Sequence, residues 1–182
     1  IAEALRTADA GGFWVYHSAE HVLFELAPKR QLIQLPKKLF NALDVVGTTA
    51  PLLCLETPKM EPWDGTASAR YPEVLCALGD PSNVGALLRS TRAFGFSHVV
   101  LLEESCNPFL PKAIKASAGS CFALNFFKGP SIRNLSGIKN LLVLDMQGDA
   151  IREIDLRRPY RILLGQEGKG VPEGLEARRA YI

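Results

Sequence analysis

The fold of this chain is decided by residues 74–102, which read VLCALGDPSNVGALLRSTRAFGFSHVVLL. The segment begins and ends with short apolar runs, Val74 to Leu78 and Val99 to Leu102, and each is typical of a buried parallel strand. Between them, apolar residues recur with a period near 3.6 from Val84 to Phe94, which predicts a helix. Gly95 suits the position just after the end of that helix. The stretch is therefore predicted to form a β-α-β unit.

The same alternation continues downstream and predicts an α/β domain. A second helix is predicted from Pro111 to near Gly119. Further strands are predicted at residues 124–127, 141–146 and 162–164, and a strand-like run begins just before Ile182. Strands that alternate with helices favour a parallel sheet that is covered on both faces.

A polar segment divides the chain. Residues 61–71 read EPWDGTASARY, in which Pro, Gly, Asp and Ser cluster and apolar periodicity is weak. We therefore predict one domain at residues 1–66 and a second at residues 67–182. The first is expected to be a small α/β domain. Its predicted helices are residues 2–8, 20–26 and 36–43, and its predicted strands are residues 13–16, 32–35 and 51–56.

Composition sets broad limits on function. The chain has 182 residues and a net charge of +2, too weak a charge to argue for nucleic acid by itself. No apolar run approaches the ~18 residues of a membrane span, and no signal peptide is visible, so we predict a cytoplasmic protein without a membrane contact. The four cysteines form no C-x-x-C pair, and the histidines lack partners at ligand spacing, so no metal site is predicted.

The first motif is DPSNVGALLR, residues 80–89. Asp80 or Asn83 can cap the predicted helix, and Gly85 lets another backbone or a ligand approach its first turn. Arg89 follows Gly85 by four residues and is expected on the same helix face, where a guanidinium can clamp a phosphate or carboxylate. A helix start with a surface arginine is the plainer interpretation.

The second motif is the loop GQEGKG, residues 165–170, which follows the predicted strand 162–164. Its three glycines allow sharp turns and expose backbone N–H groups that can wrap an adenosine or a phosphate. The spacing G-x-x-G-x-G differs from the Rossmann fingerprint, and no G-K-[S/T] ends the loop as in a P-loop. Both motifs stand at strand ends, the edge of an open α/β sheet where ligands bind.

In this order, the two motifs resemble the first two motifs of the SpoU (TrmH) branch of the SPOUT RNA 2′-O-ribose methyltransferases. Residues 141–146 followed by Gly148 also resemble the family's spacing, and residues 33–55 resemble its L30e-like RNA-binding domain. The resemblance implies a parallel-sheet α/β fold with a C-terminal trefoil knot, S-adenosylmethionine as cofactor, and a homodimer. Ile182 resembles the first residue of the family's third motif, so we expect the domain to be C-terminally incomplete and the knot to lie largely beyond Ile182.

The resemblance also implies site residues. Asn83, Arg89 and Glu167 are the expected catalytic residues. We interpret Arg89 as an electrostatic clamp on the target nucleotide, because a guanidinium does not give up its proton in proteins. Asn83 is expected to orient Arg89 or the ribose, and Glu167 to accept hydrogen bonds from the backbone or a partner chain. The expected cofactor-binding residues are Leu144, Gly148, Leu164, Gly165, Gln166, Glu167, Gly168, Gly170 and Ile182. The expected RNA contacts are Arg89, Arg92, Lys37 and Lys38. The alternative interpretation is that these basic residues only form solvated helix faces.

These observations predict an S-adenosylmethionine-dependent RNA 2′-O-ribose methyltransferase that acts on rRNA or tRNA. By family analogy, the L30e-like domain favours rRNA. One alternative is a non-catalytic RNA-binding protein that retains the SPOUT fold, against which the retained Asn83, Arg89 and Glu167 count. A second is a nucleotide-dependent enzyme of Rossmann type, but neither domain has a glycine fingerprint after its first strand.

Overall fold

The chain divides into two units, Ile1–Pro58 and Lys59–Ile182. A computed structural model of the chain describes residues 12–17, 31–67, 69–157 and 159–181. The helices predicted at residues 2–8 and 20–26 lie outside the described residues, as does Ile182. The division falls ahead of the predicted domain boundary at residues 66 and 67, since the first part of the polar segment joins the second unit.

The first unit contains a three-stranded mixed sheet. Its elements are β1 (Gly12–Tyr16), β2 (Gln31–Gln34), α1 (Lys37–Leu43) and β3 (Leu52–Leu55). The strand order is β2-β1-β3, with β1 parallel to β2 and antiparallel to β3. Trp14 is the buried centre of this sheet. The described elements lie within one or two residues of the predicted positions.

The second unit is built on a parallel sheet of seven strands. The strands are β4 (Glu61–Pro62), β5 (Glu73–Cys76), β6 (His98–Leu101), β7 (Asn125–Lys128), β8 (Leu141–Ala150), β9 (Arg161–Leu164) and β10 (Arg178–Tyr181). The helices are α2 (Pro81–Ala93) and α3 (Pro111–Ala116), and 3-10 turns occupy Ser120–Ala123, Ile132–Asn134 and Ile151–Glu153. The strand order is β10-β8-β9-β5-β6-β7-β4, and each neighbouring pair runs parallel. The prediction of a parallel α/β sheet is therefore confirmed.

Two apolar layers cover the sheet, because successive residues of a strand point to opposite faces. Cys76, Val99 and Leu101 pack with α2 on one face, whereas Leu75 and Val100 pack on the other. Within the described residues, the second face is covered by the turn Ile132–Asn134, by Trp63 and by the segment 171–177. Irregular segments therefore do on this face what α-helices do on the first.

Helix α2 begins three residues before its predicted start at Val84 and ends one residue before its predicted end at Phe94. The Asp80 side chain accepts hydrogen bonds from the backbone N–H groups of Ser82 (2.8 Å) and Asn83 (3.1 Å), so Asp80 is the cap. Gly95 has a φ of 79°, as its predicted position after the helix requires. Phe94, in contrast, is 79% exposed instead of lying on the apolar face. It follows the last helical residue and so leaves the helical periodicity.

Two predicted elements end at different residues. The second helix ends at Ala116 instead of near Gly119, since positive φ angles at Ala118 (50°) and Gly119 (83°) cannot continue a right-handed helix. Strand β8 continues to Ala150 instead of ending at Met146. The short strand β4, which pairs with β7, was not predicted.

A buried arginine fixes the polar segment to the sheet. Arg161, at the start of β9, is 1% exposed. Its Nε donates a hydrogen bond to Glu73 Oε2 at 2.9 Å, and its guanidinium carbon lies 5.1 Å from the centroid of the Trp63 ring. Its terminal nitrogens donate to the carbonyl oxygens of Gly65 (3.0 Å), Lys139 (3.2 Å) and Ala67 (2.7 Å). Sequence analysis did not single out Arg161. Its contacts with Trp63, Gly65 and Ala67 help to explain why the polar segment belongs to the second unit.

Replacement of Arg161 by alanine is expected to destabilise the protein by about 3 kcal/mol, because it leaves the half-buried Glu73 carboxylate and three carbonyl oxygens without their donor. Glu73→Gln keeps an acceptor and is expected to cost about 1–2 kcal/mol. The control is Arg157→Ala, which removes an exposed ion pair with Asp155 and should leave the free energy of unfolding nearly unchanged. Urea unfolding measures all three. Equal effects of Arg157→Ala and Glu73→Gln would contradict the assignment.

Candidate functional site

The two sequence motifs meet where the strand order reverses. From β5 the chain passes through α2 to β6 on one side, whereas β9 lies against β5 on the other side. The carboxyl ends of strands at such a reversal form the usual crevice for ligands in open α/β sheets. Here Asn83 Nδ2 donates a hydrogen bond to Glu167 Oε1 at 2.7 Å, across 84 residues of sequence. This bond joins the first motif to the second.

From the sequence, either Asp80 or Asn83 could cap helix α2. In the structure Asp80 caps the helix and Asn83 contacts Glu167. The backbone N–H of Asn83 holds the pKa of the Asp80 carboxyl below its usual value. Lys112 Nζ lies 3.7 Å from Asp80 Oδ2 and adds to this effect. Asp80 is therefore occupied as the helix cap. The side-chain amide of Asn83 donates to Glu167.

Gly85 serves helix packing. A Cβ at this position would collide with the carbonyl oxygen of Ala113 and would lie 2.9 Å from the backbone nitrogen of Ser117. The backbone that approaches the first turn is thus that of α3 and the residue after it. Gly85 is buried, whereas Arg89, four residues further along α2, is exposed. Four residues advance a helix by about 40° more than one turn, and the long Arg89 side chain emerges from the buried contact.

The loop 165–170 is closed at its base by two backbone hydrogen bonds. Gln166 N–H donates to Gly170 O at 2.9 Å, and Gly170 N–H donates to Gln166 O at 2.8 Å. Gly168 and Gly170 have φ angles of 73° and 65°, in the left-handed region that favours glycine. At Gly165, a Cβ would lie 2.7 Å from Gly170 O. The glycines therefore set the shape of a tight, closed loop.

A groove of about 610 Å³ lies against this loop. Its walls are Leu144, Asp145, Met146, Gly165, Gln166, Gly168, Gly170 and Val171. Five of the expected cofactor-binding residues line it, namely Leu144, Gly165, Gln166, Gly168 and Gly170. Gly148, Leu164 and Glu167 are not among the lining residues, and Ile182 lies outside the described residues. Sequence analysis missed Asp145, Met146 and Val171.

Gly148 lies in a bulge of β8, close in sequence to the groove residues Leu144, Asp145 and Met146. Strand β10 pairs Arg179 with Val143 and then Ala180 with Asp149, so residues 144–148 bulge out of β8. Gly148 has a φ of 133°, and a Cβ there would collide with the carbonyl of Arg179. The Arg179 side chain donates to the Asp145 carboxylate, which pins the bulge to β10. From the sequence, residues 141–146 are predicted as a regular strand. Gly148, a glycine inside a strand, is the sequence feature that could have indicated the bulge.

Two thiols stand near the site but do not supply a nucleophile. Ser105 Oγ donates to Cys76 Sγ at 3.4 Å, and Cys106 follows in the same loop. Burial raises the pKa of both thiols, so they stay protonated at neutral pH. Residues 12–17, 31–67, 69–157 and 159–181 contain no group of three His, Cys, Asp or Glu side chains that could hold a metal ion. No helix among the same residues is long and apolar enough to cross a membrane.

The fold and the paired loops define the class of protein. The SpoU methyltransferase AviRb from Streptomyces viridochromogenes, solved in complex with the cofactor AdoMet, matches 100% of this chain and 77% of its own length. The TM-score is 0.78 at 19% sequence identity. This likeness shows that the chain has the α/β fold of SPOUT methyltransferase structures.

The family follows from the sequence itself. The model of the SpoU rRNA Methylase family matches residues 74–180, and the chain belongs to this family. Ribosomal RNA small subunit methyltransferase G 2 of Syntrophobacter fumaroxidans is 38% identical over 143 residues, which are 77% of this chain and 28% of that protein. The 23S rRNA (guanosine(2553)-2'-O)-methyltransferase RlmP of Bacillus subtilis is 28% identical over 63% of this chain and 48% of its own length. The chain thus spans less than half of each of these relatives.

Asn83→Asp is expected to loosen the loop 165–170, because it places a second carboxylate against Glu167. Hydrogen exchange at the Gly170 amide should accelerate about tenfold, equivalent to ~1.4 kcal/mol. The double variant Asn83→Asp with Glu167→Gln swaps donor and acceptor and should restore slow exchange. Asn134→Asp, at an exposed turn, is the control. An unchanged exchange rate in Asn83→Asp would show that this hydrogen bond does not hold the loop.

Proposed function

We propose that the protein transfers a methyl group from S-adenosylmethionine to a ribose 2′-OH of RNA. The Asn83–Glu167 hydrogen bond carries this proposal, because it joins both family motifs beside a groove of cofactor size. Membership of the SpoU family supports it, as do relatives whose names specify 2′-O-methylation of 23S rRNA. A fold neighbour was solved with AdoMet bound.

The groove fits the proposed cofactor. Leu144, Met146 and Val171 offer apolar surface for an adenine or a methionine chain, and the glycine loop offers backbone polar groups. The Asp145 carboxylate suits the positive charge of a sulfonium or an ammonium group. The N–H of Met146 donates to this carboxylate and holds the pKa of Asp145 below its usual value, so it is charged at neutral pH.

When bound, the cofactor supplies a methyl group already activated on sulfur, so the protein has to position the 2′-OH and stabilise the charge that develops on it. Arg89 is the residue proposed for this task, as a fixed cation that holds the nucleotide's phosphate and stabilises the developing alkoxide. Asn83 and Arg89 are six residues apart, about 9 Å along the helix axis. Helical side chains lean towards the N-terminus, which is the end of α2 that carries the Asn83–Glu167 contact.

Glu167 acts in this proposal through the loop. Its carboxylate accepts the Asn83 amide proton, which ties the glycine loop to the start of α2. Because two backbone hydrogen bonds already close the loop, this third attachment fixes its position relative to the helix that carries Arg89. Asn83 and Glu167 are therefore positioning residues.

We also propose the partners. The RNA is ribosomal RNA in preference to transfer RNA, with Arg92 beside Arg89 as an additional phosphate contact, and the protein acts in the cytoplasm. Lys37 and Lys38 are exposed on α1 and suit an L30e-like RNA-binding role for the first unit. Support comes from the rRNA methyltransferases among the relatives and from the exposure of all four cations.

A homodimer and a trefoil knot complete the proposal. Phe94, at the end of α2, is a large apolar side chain that is 79% exposed, which suits a subunit interface near that helix. The likeness to SPOUT structures supports the knot. Sedimentation of the full-length protein at micromolar concentration tests the dimer, and a monomer would contradict it.

The proposed function predicts loss of specific 2′-O-methyl groups. Mapping of these groups in total RNA, with and without the gene, should show one or a few sites that disappear with the gene. Calorimetry on the full-length protein should show binding of S-adenosylmethionine or S-adenosylhomocysteine. Binding of NAD or ATP in their place would overturn the proposal, and an unchanged methylation map would favour a non-catalytic RNA-binding protein.

Arg89→Ala is expected to lower methyl transfer by at least about 100-fold and to leave cofactor affinity nearly unchanged, because Arg89 acts on the RNA. Arg89→Lys should still lose most of the rate, since a point charge cannot reproduce a bidentate fork. Arg92→Ala on the same helix is the matched comparison and should weaken RNA affinity without abolishing turnover. Near-normal turnover in Arg89→Lys would rule out a specific role for the guanidinium fork. A fully active Arg89→Ala would show that the active site does not include Arg89.

A further inference from the structure

A second cavity shares the glycine loop with the cofactor groove. It has a volume of about 490 Å³. Gln166 and Gly170 line both cavities, so the base of the loop is a common wall between them. The remaining lining residues are Ile132, Arg133, Ser136, Lys169, Pro172, Glu173, Gly174 and Leu175. We refer to this cavity as the Arg133 cleft. None of the roles assigned to the cofactor groove uses it.

Arg133 reaches the cleft from a firmly anchored turn. The Glu104 carboxylate accepts hydrogen bonds from the Ser131 hydroxyl and from the Ile132 backbone N–H, the latter at 3.0 Å. Ile132 itself is 1% exposed and belongs to the core. The backbone that carries Arg133 is therefore fixed, while the Arg133 side chain is exposed.

Lys169 lines the same cleft from the glycine loop. It lies within the loop that is closed by the Gln166–Gly170 hydrogen bonds, and it is exposed. The ion pairs among the described residues involve Lys112, Arg157, Arg161, Arg178 and Arg179, and include neither Arg133 nor Lys169. The cleft thus presents two cations without an ion-pair contact among the described residues, and the Glu104 carboxylate is near enough to Arg133 to interact with it electrostatically.

The floor of the cleft is of a different character. Ile132, Pro172 and Leu175 offer apolar surface, whereas Ser136 and Gln166 offer polar groups. Two cations above a partly apolar floor suit a ligand with an anionic group and a flat or aliphatic face, which describes a nucleotide unit. Glu173 is the single carboxylate among the lining residues, and it opposes an anion.

We propose that the Arg133 cleft binds a nucleotide of the RNA strand next to the reacting ribose, with its phosphodiester between Arg133 and Lys169. This inference rests on the proposed function, and it assigns the two sides of the loop to the two substrates. The cofactor occupies the side of Leu144 and Met146. The RNA strand passes along the side of Arg133.

The test measures methyl transfer by the full-length protein to total ribosomal RNA from cells that lack the gene. Arg133→Ala and Lys169→Ala are each expected to raise KM for RNA about threefold to tenfold, with kcat and the affinity for S-adenosylmethionine unchanged. Each should also lower the slope of log affinity against log salt by about 0.7, the value for one contact to a single strand. Arg133→Lys should keep most of the affinity, because a phosphate accepts a point charge.

Glu173→Gln is expected to change KM for RNA in the opposite direction. Removal of the carboxylate strengthens the positive potential of the cleft, so KM for RNA should fall about threefold. Arg152→Ala removes an exposed cation from the turn Ile151–Glu153 and is the matched control, expected to behave as the unaltered protein.

The outcomes separate this inference from the proposed function. If the unaltered protein transfers no methyl group to RNA, the proposed function fails. If it does transfer methyl groups but Arg133→Ala, Lys169→Ala and their combination keep the KM and salt slope of the unaltered protein, the assignment of the cleft is overturned. A loss of S-adenosylmethionine affinity in Arg133→Ala would also overturn it, since the cleft would then belong to the cofactor.

Discussion

A buried charge that must be neutralised sets the register of the seven-stranded sheet. Arg161 cannot be withdrawn from water without partners, and Glu73 is its direct neighbour in the pairing of β5 with β9. The same register pairs Cys76 with Leu164 at the other end of the two strands. The loops that carry Asn83 and Glu167 begin just beyond that point. A slip of one residue would point each side chain to the other face of the sheet, so the ion pair at one edge supports the contact of the two motifs at the other.

The glycine loop turns that register into a site with two sides. It is short, closed by backbone hydrogen bonds and tied to α2 through Glu167, so little ordering remains to be done when a ligand binds. A loop that forms a wall of both cavities suits a reaction between two substrates, because each substrate then has its own binding surface next to the same loop. The half-buried Asp145 carboxylate, which is paired with Arg179, lies on one side of it, and the exposed cations Arg133 and Lys169 lie on the other. In the proposed function, the two cations of the Arg133 cleft match the anionic RNA.

The bulge in β8 shows how an edge of the sheet becomes a wall of the groove. Residues 144–148 leave the pairing with β10, and Gly148 allows the backbone to pass close to Arg179. The departure lifts Met146 into solvent, where its side chain is 94% exposed. An apolar side chain held out beside a cavity gives a ligand a surface to cover, and the pairs of Arg179 with Asp145 and of Arg178 with Asp149 hold the bulge in place. Bulges next to functional sites commonly aim side chains in this way.

The sequence by itself determined the α/β class, the parallel strands and the two motifs, because period and turn residues are local properties of the chain. Through its resemblance to a family, the sequence also predicted Asn83 and Glu167 as site residues and singled out the loop glycines, three of which line the groove. Only the tertiary structure decided that Asn83 binds Glu167, that Gly85 serves the packing of α3, and that Asp145 and Met146 line the groove. It alone revealed Arg161 as the anchor of the polar segment and the strand order that brings residues 80–89 to residues 165–170. The physical reason is that strand neighbours and buried ion pairs join residues far apart in sequence, and no local pattern encodes which partner each one meets.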